Sequence, residues 1–365
     1  MNVIGLDIGG ANIKAADADG NTVSRPFAMW TRKDDLTGEL TQLGQQQFAK
    51  PDMVALTMTA ELADCFVTKA EGVAFIIAAT QAAFPDVPLR VWLTSGEFAE
   101  PDDAVQLPEL VAAANWHVLA TWAGQAIPDG PALLIDMGST TTDIIPLLDG
   151  LPVGQGANDC ERLLAGELVY TGIRRTPICS VANELRFRGR SCPVAAEVFA
   201  TTGDAFLIIG QLEEDATDTD TADGRPFTRK HSLSRMAHTI CCDATELTEA
   251  EITELAQSAV EAQSRQLVKA SEQVLQHLSQ QMVADSQRCL DIEKPAVLIS
   301  GSGAFVVERL LQQLGRERFS DLLDVNAMFH RKVSSAACAF AAARLAHTLC
   351  RDDLLEEVDF SGAAP

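Results

Sequence analysis

A short apolar segment near the start of the chain carries one acidic residue and ends in two glycines, and it constrains the fold more than any other feature. The segment runs from Ile4 to Lys14 and contains Asp7, Gly9 and Gly10. Glycines at such a turn let the chain reverse tightly and bring backbone N–H groups close to a ligand. Because a second apolar stretch follows, the pattern predicts a β-hairpin with a ligand-binding tip.

A second segment, residues 135–144, repeats this design. The two segments match at three positions, namely Asp136 with Asp7, Gly138 with Gly9, and Ser139 with Gly10. Backbone amides arranged around such a turn bind phosphate oxygens, and a carboxylate beside them is suited to a hydrated Mg²⁺ ion. Two hairpins of this kind therefore predict a phosphate group that is held from both sides.

Composition limits the classes of partner. The chain has 365 residues, a mass of 39.1 kDa and a formal net charge of −23, so we expect about two domains and no nucleic acid partner. Nine cysteines without a C-x-x-C pair favour reduced thiols over disulfides or a zinc ribbon. No signal peptide is evident, and the apolar run at residues 72–83 is too short to span a bilayer. We expect a cytoplasmic protein without a membrane partner, and the oligomeric state stays open.

Apolar periodicity and turn residues divide the chain into two parts. Short strands are predicted at 2–8, 12–18, 22–28 and 54–58, and a short edge strand at 117–119. The turn cluster at residues 128–131 precedes the second hairpin and marks the predicted boundary. Residues 1–128 form the first predicted domain, which the C-terminal helix 334–351 is expected to complete. Residues 129–333 form the second, with a helical insertion at about residues 160–290.

Two charged segments are candidates for a substrate site. Glu61 and Asp64 follow the strand at residues 54–58, and ligands of open α/β sheets lie beyond the carboxyl ends of strands. An acidic helix start explains these two residues equally well. Arg174 and Arg175 lie in a loop bounded by a glycine and a proline. For this pair we favour binding of a phosphate or carboxylate over a surface salt bridge.

Two further segments carry expectations of their own. The turn formed by Gly301, Ser302 and Gly303 follows a buried strand, and its small residues admit a nucleotide base or an aromatic ring against the backbone. The tract at residues 213–223 is acidic and lacks large apolar residues. It predicts a mobile loop, so its replacement by a short Gly/Ser loop is expected to change stability little.

The three turns occur in the order found in actin, the sugar kinases and Hsp70, and the sequence resembles that superfamily. The first two turns look like its phosphate loops and the third like its adenosine motif. Within the superfamily the chain resembles the hydantoinase/oxoprolinase group, and more narrowly the branch linked to tetrahydromethanopterin-dependent one-carbon transfer. Residues 57–66, 136–143 and 166–177 carry the narrower match, which covers residues 1 to about 345.

This resemblance implies an α/β fold with two ribonuclease H-like domains of the actin/sugar kinase/Hsp70 type, which flank a phosphate-binding cleft. It also implies a transferase of methanofuran biosynthesis. Such an enzyme condenses an aminomethylfuran diphosphate with the phenol of a glutamyltyramine and releases diphosphate. The chain is far shorter than the large subunit of a true hydantoinase or oxoprolinase, which argues against lactam hydrolysis.

The resemblance also assigns expected roles. Asp7 and Asp136 are expected to hold Mg²⁺ and take part in catalysis, and Glu61 or Asp64 to act as the base. The expected phosphate-binding residues are Gly9, Gly10, Asn12, Lys14, Gly138, Ser139, Thr140, Thr141 and Arg174. Gly301, Ser302 and Gly303 are expected to bind a nucleotide or an aromatic ring. Two other classes stay open, namely an ATP-dependent small-molecule kinase or ligase and a nucleotide-switched binding protein.

Overall fold

The computed structural model describes residues 1–48, 50–284, 294–325 and 333–356. The first sheet has six strands in the spatial order β3-β2-β1-β4-β5-β6. Their bounds are β1 Val3–Ile8, β2 Asn12–Asp17, β3 Thr22–Pro26, β4 Met53–Met58, β5 Leu89–Trp92 and β6 Phe98–Ala99.

The remaining strands form a second six-stranded sheet and a small two-stranded sheet. Their bounds are β7 Pro131–Met137, β8 Thr142–Leu148, β9 Leu151–Pro152, β10 Leu168–Val169, β11 Glu184–Phe187, β12 Arg190–Pro193, β13 Ala296–Ser300 and β14 Leu322–Asp324. The order in the second sheet is β10-β8-β7-β13-β14, with β9 paired to β8, and β11 pairs with β12.

The two large sheets share one arrangement. In each, an antiparallel hairpin, β1–β2 or β7–β8, places its first strand parallel to a later strand, β4 or β13. The acid of each hairpin lies near the carboxyl end of its strand, where ligands of such sheets bind. The predicted α/β fold with two ribonuclease H-like sheets is confirmed, and the boundary near residue 128 stays a prediction.

Thirteen α-helices occur in the described residues. They are α1 Met29–Arg32, α2 Leu36–Gln47, α3 Lys69–Ala83, α4 Pro101–Gln106, α5 Pro108–Val111, α6 Asn115–Gly124, α7 Asp159–Ala165, α8 Ile178–Val181, α9 Thr202–Ile208, α10 Arg229–His238, α11 Glu249–Ala284, α12 Ala304–Leu314 and α13 Ala337–Glu356. None of the helices in this part of the chain is long and apolar enough to cross a membrane.

The last helix packs unusually close to the first strand. A Cβ atom at Gly5 would lie 1.8 Å from the Ala339 carbonyl oxygen, so only glycine allows β1 and α13 to approach this closely. Helix α13 also contacts α6, β2 and β4. Its buried alanines present a smooth surface, which holds β1 and therefore Asp7 in a fixed position.

The edge strand predicted at residues 117–119 is wrong, because these residues lie inside α6. Trp116, Val118 and Leu119 are buried, and α6 packs against α13. A short run of apolar residues satisfies a helix buried on most sides as well as a strand. The pattern alone does not distinguish the two.

Residues 213–223, which we predicted to form a mobile loop, are held by ion pairs. The Arg174 Nη2 donates to Asp218 at 2.5 Å, and the Arg235 Nη1 donates to Asp223 at 2.9 Å. Both arginines lie outside the tract, so its local composition gives no sign of them. These contacts argue against the predicted mobile loop, and its small effect on stability stays a prediction to be tested.

Asp223→Asn is expected to lower the free energy of unfolding by about 1–3 kcal/mol. Arg235 is 1% exposed and would keep a single charged partner, Asp204, so the loss falls on a buried guanidinium. Urea unfolding measures the change. The control is Asp220→Asn, on an exposed residue of the same tract, and it should stay within about 0.5 kcal/mol of the parent. Equal, small effects from both variants would restore the mobile-loop interpretation.

Candidate active site

The tip of the first hairpin is supported from behind by the segment that follows β3. Its turn is closed by the Gly9 N–H, which donates to the Asn12 carbonyl at 2.9 Å. The Gly10 and Ala11 carbonyls accept from the N–H groups of Met29 and Phe27, each at 2.9 Å. In a trans peptide the N–H points opposite to the carbonyl, so the Ala11 N–H faces away from this support. Within the described chain that N–H has no protein acceptor.

The tip of the second hairpin is supported in the same way by residues 172–175. The Gly138 N–H closes the turn on the Thr141 carbonyl at 2.9 Å. The Gly138 carbonyl accepts from Ile173 at 3.1 Å, and the Ser139 carbonyl accepts from Arg174 at 3.0 Å and Arg175 at 2.9 Å. By the same geometry, the N–H groups of Ser139 and Thr140 face away from the support. Neither has a protein acceptor among the described residues.

Gly172 makes this support close. A Cβ atom there would lie 2.5 Å from the Thr140 nitrogen, so a larger residue would displace the hairpin tip. The Gly172 carbonyl is itself held by the Thr202 hydroxyl and by the Gln263 side-chain amide, each at 2.8 Å. Helices α9 and α11 thus fix the loop that supports the tip of the second hairpin.

The first hairpin carries a buried carboxylate beside a lysine. Asp7 lies directly opposite Lys14 in the strand register, and the Lys14 Nζ is 3.7 Å from the Asp7 Oδ2. Asp7 is 2% exposed, and its Oδ1 has no hydrogen-bond partner in the described chain. Burial raises the pKa of Asp7, and Lys14 counters part of this rise. Such an oxygen is available to a cation from outside the protein.

The second hairpin carries two facing carboxylates. Asp136 lies directly opposite Asp143, so their side chains share one face of the sheet. Burial raises the pKa of Asp136 to about 6, and Asp143 adds to the rise, while Ser300 and Lys14 oppose it. Since Lys14 of the first hairpin lowers the pKa of Asp136 in the second, these two charged residues lie within electrostatic reach of each other.

The third turn lies against the second hairpin. The Gly303 N–H donates to the Met137 carbonyl at 2.9 Å. A Cβ atom at Gly301, whose φ is +84°, would lie 2.8 Å from the Asp136 Oδ1. Ser302 between them is exposed. The structure thus brings the glycines of this turn next to the acid of the second hairpin.

The two candidate bases differ in their exposure to solvent. Glu61 is 2% exposed, and its Oε2 has no hydrogen-bond partner among the described residues, whereas Asp64 is exposed. Burial raises the pKa of Glu61 to about 7; nearby backbone N–H groups and Lys69 oppose the rise, and Asp159 adds to it. A carboxylate with this pKa suits a general base near neutral pH. The geometry therefore favours Glu61 over Asp64.

Arg174 has a charged partner of its own. Its guanidinium donates to Asp218 at 2.5 Å, and its Cζ lies 3.2 Å from the centroid of the Phe227 ring. A substrate anion would have to replace or share the Asp218 carboxylate. The backbone N–H of Arg174 already supports the second hairpin, so this residue contributes through its main chain as well.

Two charged residues of this region were missed by the sequence reasoning. Asp143 stands at the position that matches Lys14 of the first hairpin, and this alignment was the signal that could have identified it. Arg162 is buried and donates to Asp143 at 2.5 Å. No local pattern marks Arg162, because it lies in a short helix beside exposed leucines.

A divalent cation fits this arrangement if substrate and water supply most of its ligands. Among the described residues, no group of three or more His, Cys, Asp or Glu side chains is placed to hold a metal ion. Mg²⁺ usually binds one or two carboxylates and takes its remaining ligands from substrate phosphates and water. Asp7, with its unpartnered oxygen, and Asp136 offer carboxylates of that kind.

Comparison with known proteins identifies one family and two similar proteins that share a name. The family model described as Hydantoinase/oxoprolinase matches residues 52–348. A protein of Methanocaldococcus jannaschii named (4-{4-[2-(gamma-L-glutamylamino)ethyl]phenoxymethyl}furan-2-yl)methanamine synthase is 32% identical over 346 residues, which are 94% of this chain and 97% of that protein. A protein of Methanococcus vannielii with the same name is 29% identical over 217 residues, which are 60% of this chain and 91% of that protein.

Among solved structures, nucleotide-free acetone carboxylase superposes with a TM-score of 0.52 at 11% sequence identity. The match covers 94% of this chain and 70% of that one. At this identity the likeness extends to the fold alone.

Proposed function

This chain belongs to the hydantoinase/oxoprolinase family, and from that premise we propose that it makes the aryl ether of a methanofuran-type cofactor. The reaction joins an aminomethylfuran diphosphate to the phenol of a glutamyltyramine and releases diphosphate. The observation that carries this proposal is the 32% identity to the synthase named for that product, which is matched along 97% of the synthase's length. The pathway serves tetrahydromethanopterin-linked one-carbon metabolism.

The leaving group is where the two hairpins act. The bond between the furfuryl CH₂ and the diphosphate oxygen breaks, and the electron pair departs with the diphosphate. The outward-facing N–H groups of Ala11, Ser139 and Thr140 and the Lys14 ammonium would stabilise the negative charge that develops there. The furan ring oxygen stabilises the carbocation that is left behind.

Asp7 and Asp136 would hold Mg²⁺ against the diphosphate. When bound, the ion neutralises charge on the leaving group. The unpartnered Asp7 oxygen and the raised pKa of Asp136 support this assignment, because each carboxylate lacks enough positive charge from the protein itself. A Mg²⁺ ion would supply the positive charge that these two carboxylates lack.

The phenol is the nucleophile. Its oxygen forms the new bond to the furfuryl carbon, and its proton goes to a carboxylate base. Glu61 is our choice for this base, because it is buried and has a free oxygen and a pKa of about 7. A base with that pKa is largely ionised just above neutral pH and accepts the phenol proton as the C–O bond forms.

The reaction is tested directly with purified protein, Mg²⁺, aminomethylfuran diphosphate and a tyramine-type phenol. Diphosphate and aryl ether should appear in equal amounts without ATP, because activation already resides in the diphosphate. The matched monophosphate should react far more slowly, since phosphate is a poorer leaving group and fills only part of the site. Mass spectrometry of the ether and a diphosphate assay follow both products.

Parallel reactions with and without ATP distinguish the alternatives. If no ether forms without ATP and ADP accumulates in its presence, the condensation is wrong and an ATP-dependent kinase or ligase replaces it. ATP hydrolysis with no modified small molecule would indicate the nucleotide-switched binding protein. The glycine turn beside Asp136 is the feature that both alternatives would use for the nucleotide.

A further inference from the structure

Arg162 connects the two halves of the site from a buried position. Its guanidinium donates to Asp143 at 2.5 Å and to Asp159 at 3.3 Å, and it is 2% exposed. Its Cζ also lies 4.2 Å from the centroid of the Trp116 ring. Trp116 belongs to α6, before the predicted boundary near residue 128, whereas the other contacts belong to the second half. One side chain therefore joins the second hairpin to the first half of the chain.

The segment that Arg162 packs against leads to Glu61. Three residues before Trp116, Ala113 has a φ of +51°, a left-handed conformation that residues other than glycine rarely adopt without support. Ala112 and Ala60, the chain neighbours of Ala113 and Glu61, belong to one buried hydrophobic cluster, and the Ala113 N–H opposes the rise in the pKa of Glu61. Asp159 of the other half, which accepts a hydrogen bond from Arg162, adds to the rise in the pKa of the same carboxylate.

We propose that Arg162 is a positioning residue, which sets the distance between Glu61 and the second phosphate-binding hairpin. On one side it holds Asp143, which lies directly opposite Asp136. On the other it holds Trp116 and thereby the segment that contacts Glu61. This proposal rests on the proposed function, in which the phenol must sit between the base and the carbon that loses diphosphate. Placing two reactants at bonding distance requires this kind of fixed separation.

The chemistry of this position calls for arginine. A planar guanidinium can donate to two carboxylates and lie over an aromatic ring at the same time. A lysine ammonium keeps the charge but does not reproduce the planar fork or the stacking. Arg162→Lys should therefore preserve the charge of the site and lose the geometry.

The test compares Arg162→Lys with Arg235→Lys. Arg235 is the matched control, because it is 1% exposed and paired with Asp204 at 2.7 Å, outside the proposed site. Arg162→Lys should lower kcat about 10- to 100-fold, while the dissociation constant for Mg²⁺ with inorganic diphosphate stays within about twofold. Arg235→Lys should leave both quantities unchanged at a temperature where it is folded. A parental kcat in Arg162→Lys overturns the proposal. Equal losses of kcat and diphosphate affinity also overturn it, since Arg162 would then belong to the diphosphate site.

Hydrogen exchange gives a readout that needs no activity. In Arg162→Lys the amides of residues 113–118 should exchange at least about tenfold faster, because their contact with the second half is weakened. In Arg235→Lys they should exchange as in the parent. Unchanged exchange at residues 113–118 in Arg162→Lys overturns the positioning role. If the parent forms no ether, the proposed function fails, and these exchange rates still decide whether Arg162 holds the segment beside Glu61.

Discussion

Asp7→Asn is expected to reduce kcat by at least about 10³-fold while leaving the fold intact. The substitution keeps the shape of the side chain and removes the charge that would hold Mg²⁺ beside the diphosphate. Asp7 is buried and its pKa is raised, so its ionised form costs free energy in the folded state. The melting temperature of the variant should equal or exceed that of the parent, since the asparagine carries no buried charge. Loss of activity together with unchanged or higher stability marks a functional carboxylate.

A second measurement and a control variant complete this test. The measurement is the Mg²⁺-dependent rise in melting temperature on adding diphosphate, which should disappear in Asp7→Asn, because a ligand stabilises only the state that binds it. The control is Asp19→Asn, on an exposed turn residue between β2 and β3, which should behave as the parent in both assays. Unchanged turnover with the same Mg²⁺ dependence in Asp7→Asn would show that Asp7 does not hold the ion.

Glu61→Gln has the second-largest expected effect. If Glu61 is the base, as proposed, it must be ionised, so kcat of the parent should rise with pH through about 7 and level off above it. Glu61→Gln should lower the plateau about 10²- to 10⁴-fold and remove this rise. Asp64→Asn distinguishes the two acids that the sequence left open. If Asp64→Asn produces the loss and Glu61→Gln does not, the assignment is reversed.

The same group predicts a change in stability with pH. The pKa of Glu61 is higher in the folded chain, about 7, than its ordinary value of 4.5. The folded state therefore binds this proton more tightly, and the stabilisation is fully present below pH 4.5. This stabilisation amounts to about 3 kcal/mol by linkage. It is lost as the pH rises from 4.5 to about 7. Relative to the parent, Glu61→Gln should gain stability as the pH rises through this range, as urea unfolding at pH 5 and pH 8 can measure.

The sequence predicted those features that depend on neighbouring residues. Each hairpin is encoded by alternating apolar residues and a glycine turn within about fifteen residues, so its strands and acid were predictable. Matching the two segments predicted Asp136 from Asp7 without any structure. The sheets follow from the same local pattern repeated after a crossover.

Other features depend on contacts between distant residues, which a local pattern does not encode. Arg174 and Asp218 are 44 residues apart in sequence, so the composition of the acidic tract gave no sign of its partner. Glu61 and Asp64 are equally acidic in sequence. Only the turn that begins at Ala60 and the packing of Gly72 against Glu61 bury one and leave the other in water.

The support of the second hairpin has a consequence for the order of folding. Strands β7 and β8 can pair as soon as residue 148 is available, because their contacts are local. The loop beneath their tip is fixed only when Gln263 reaches the Gly172 carbonyl, 91 residues further along the chain. Contacts of that separation close slowly. We therefore expect the hairpin to form early, and the support that the proposed diphosphate site needs to be completed late, after the long helix has left the ribosome and docked.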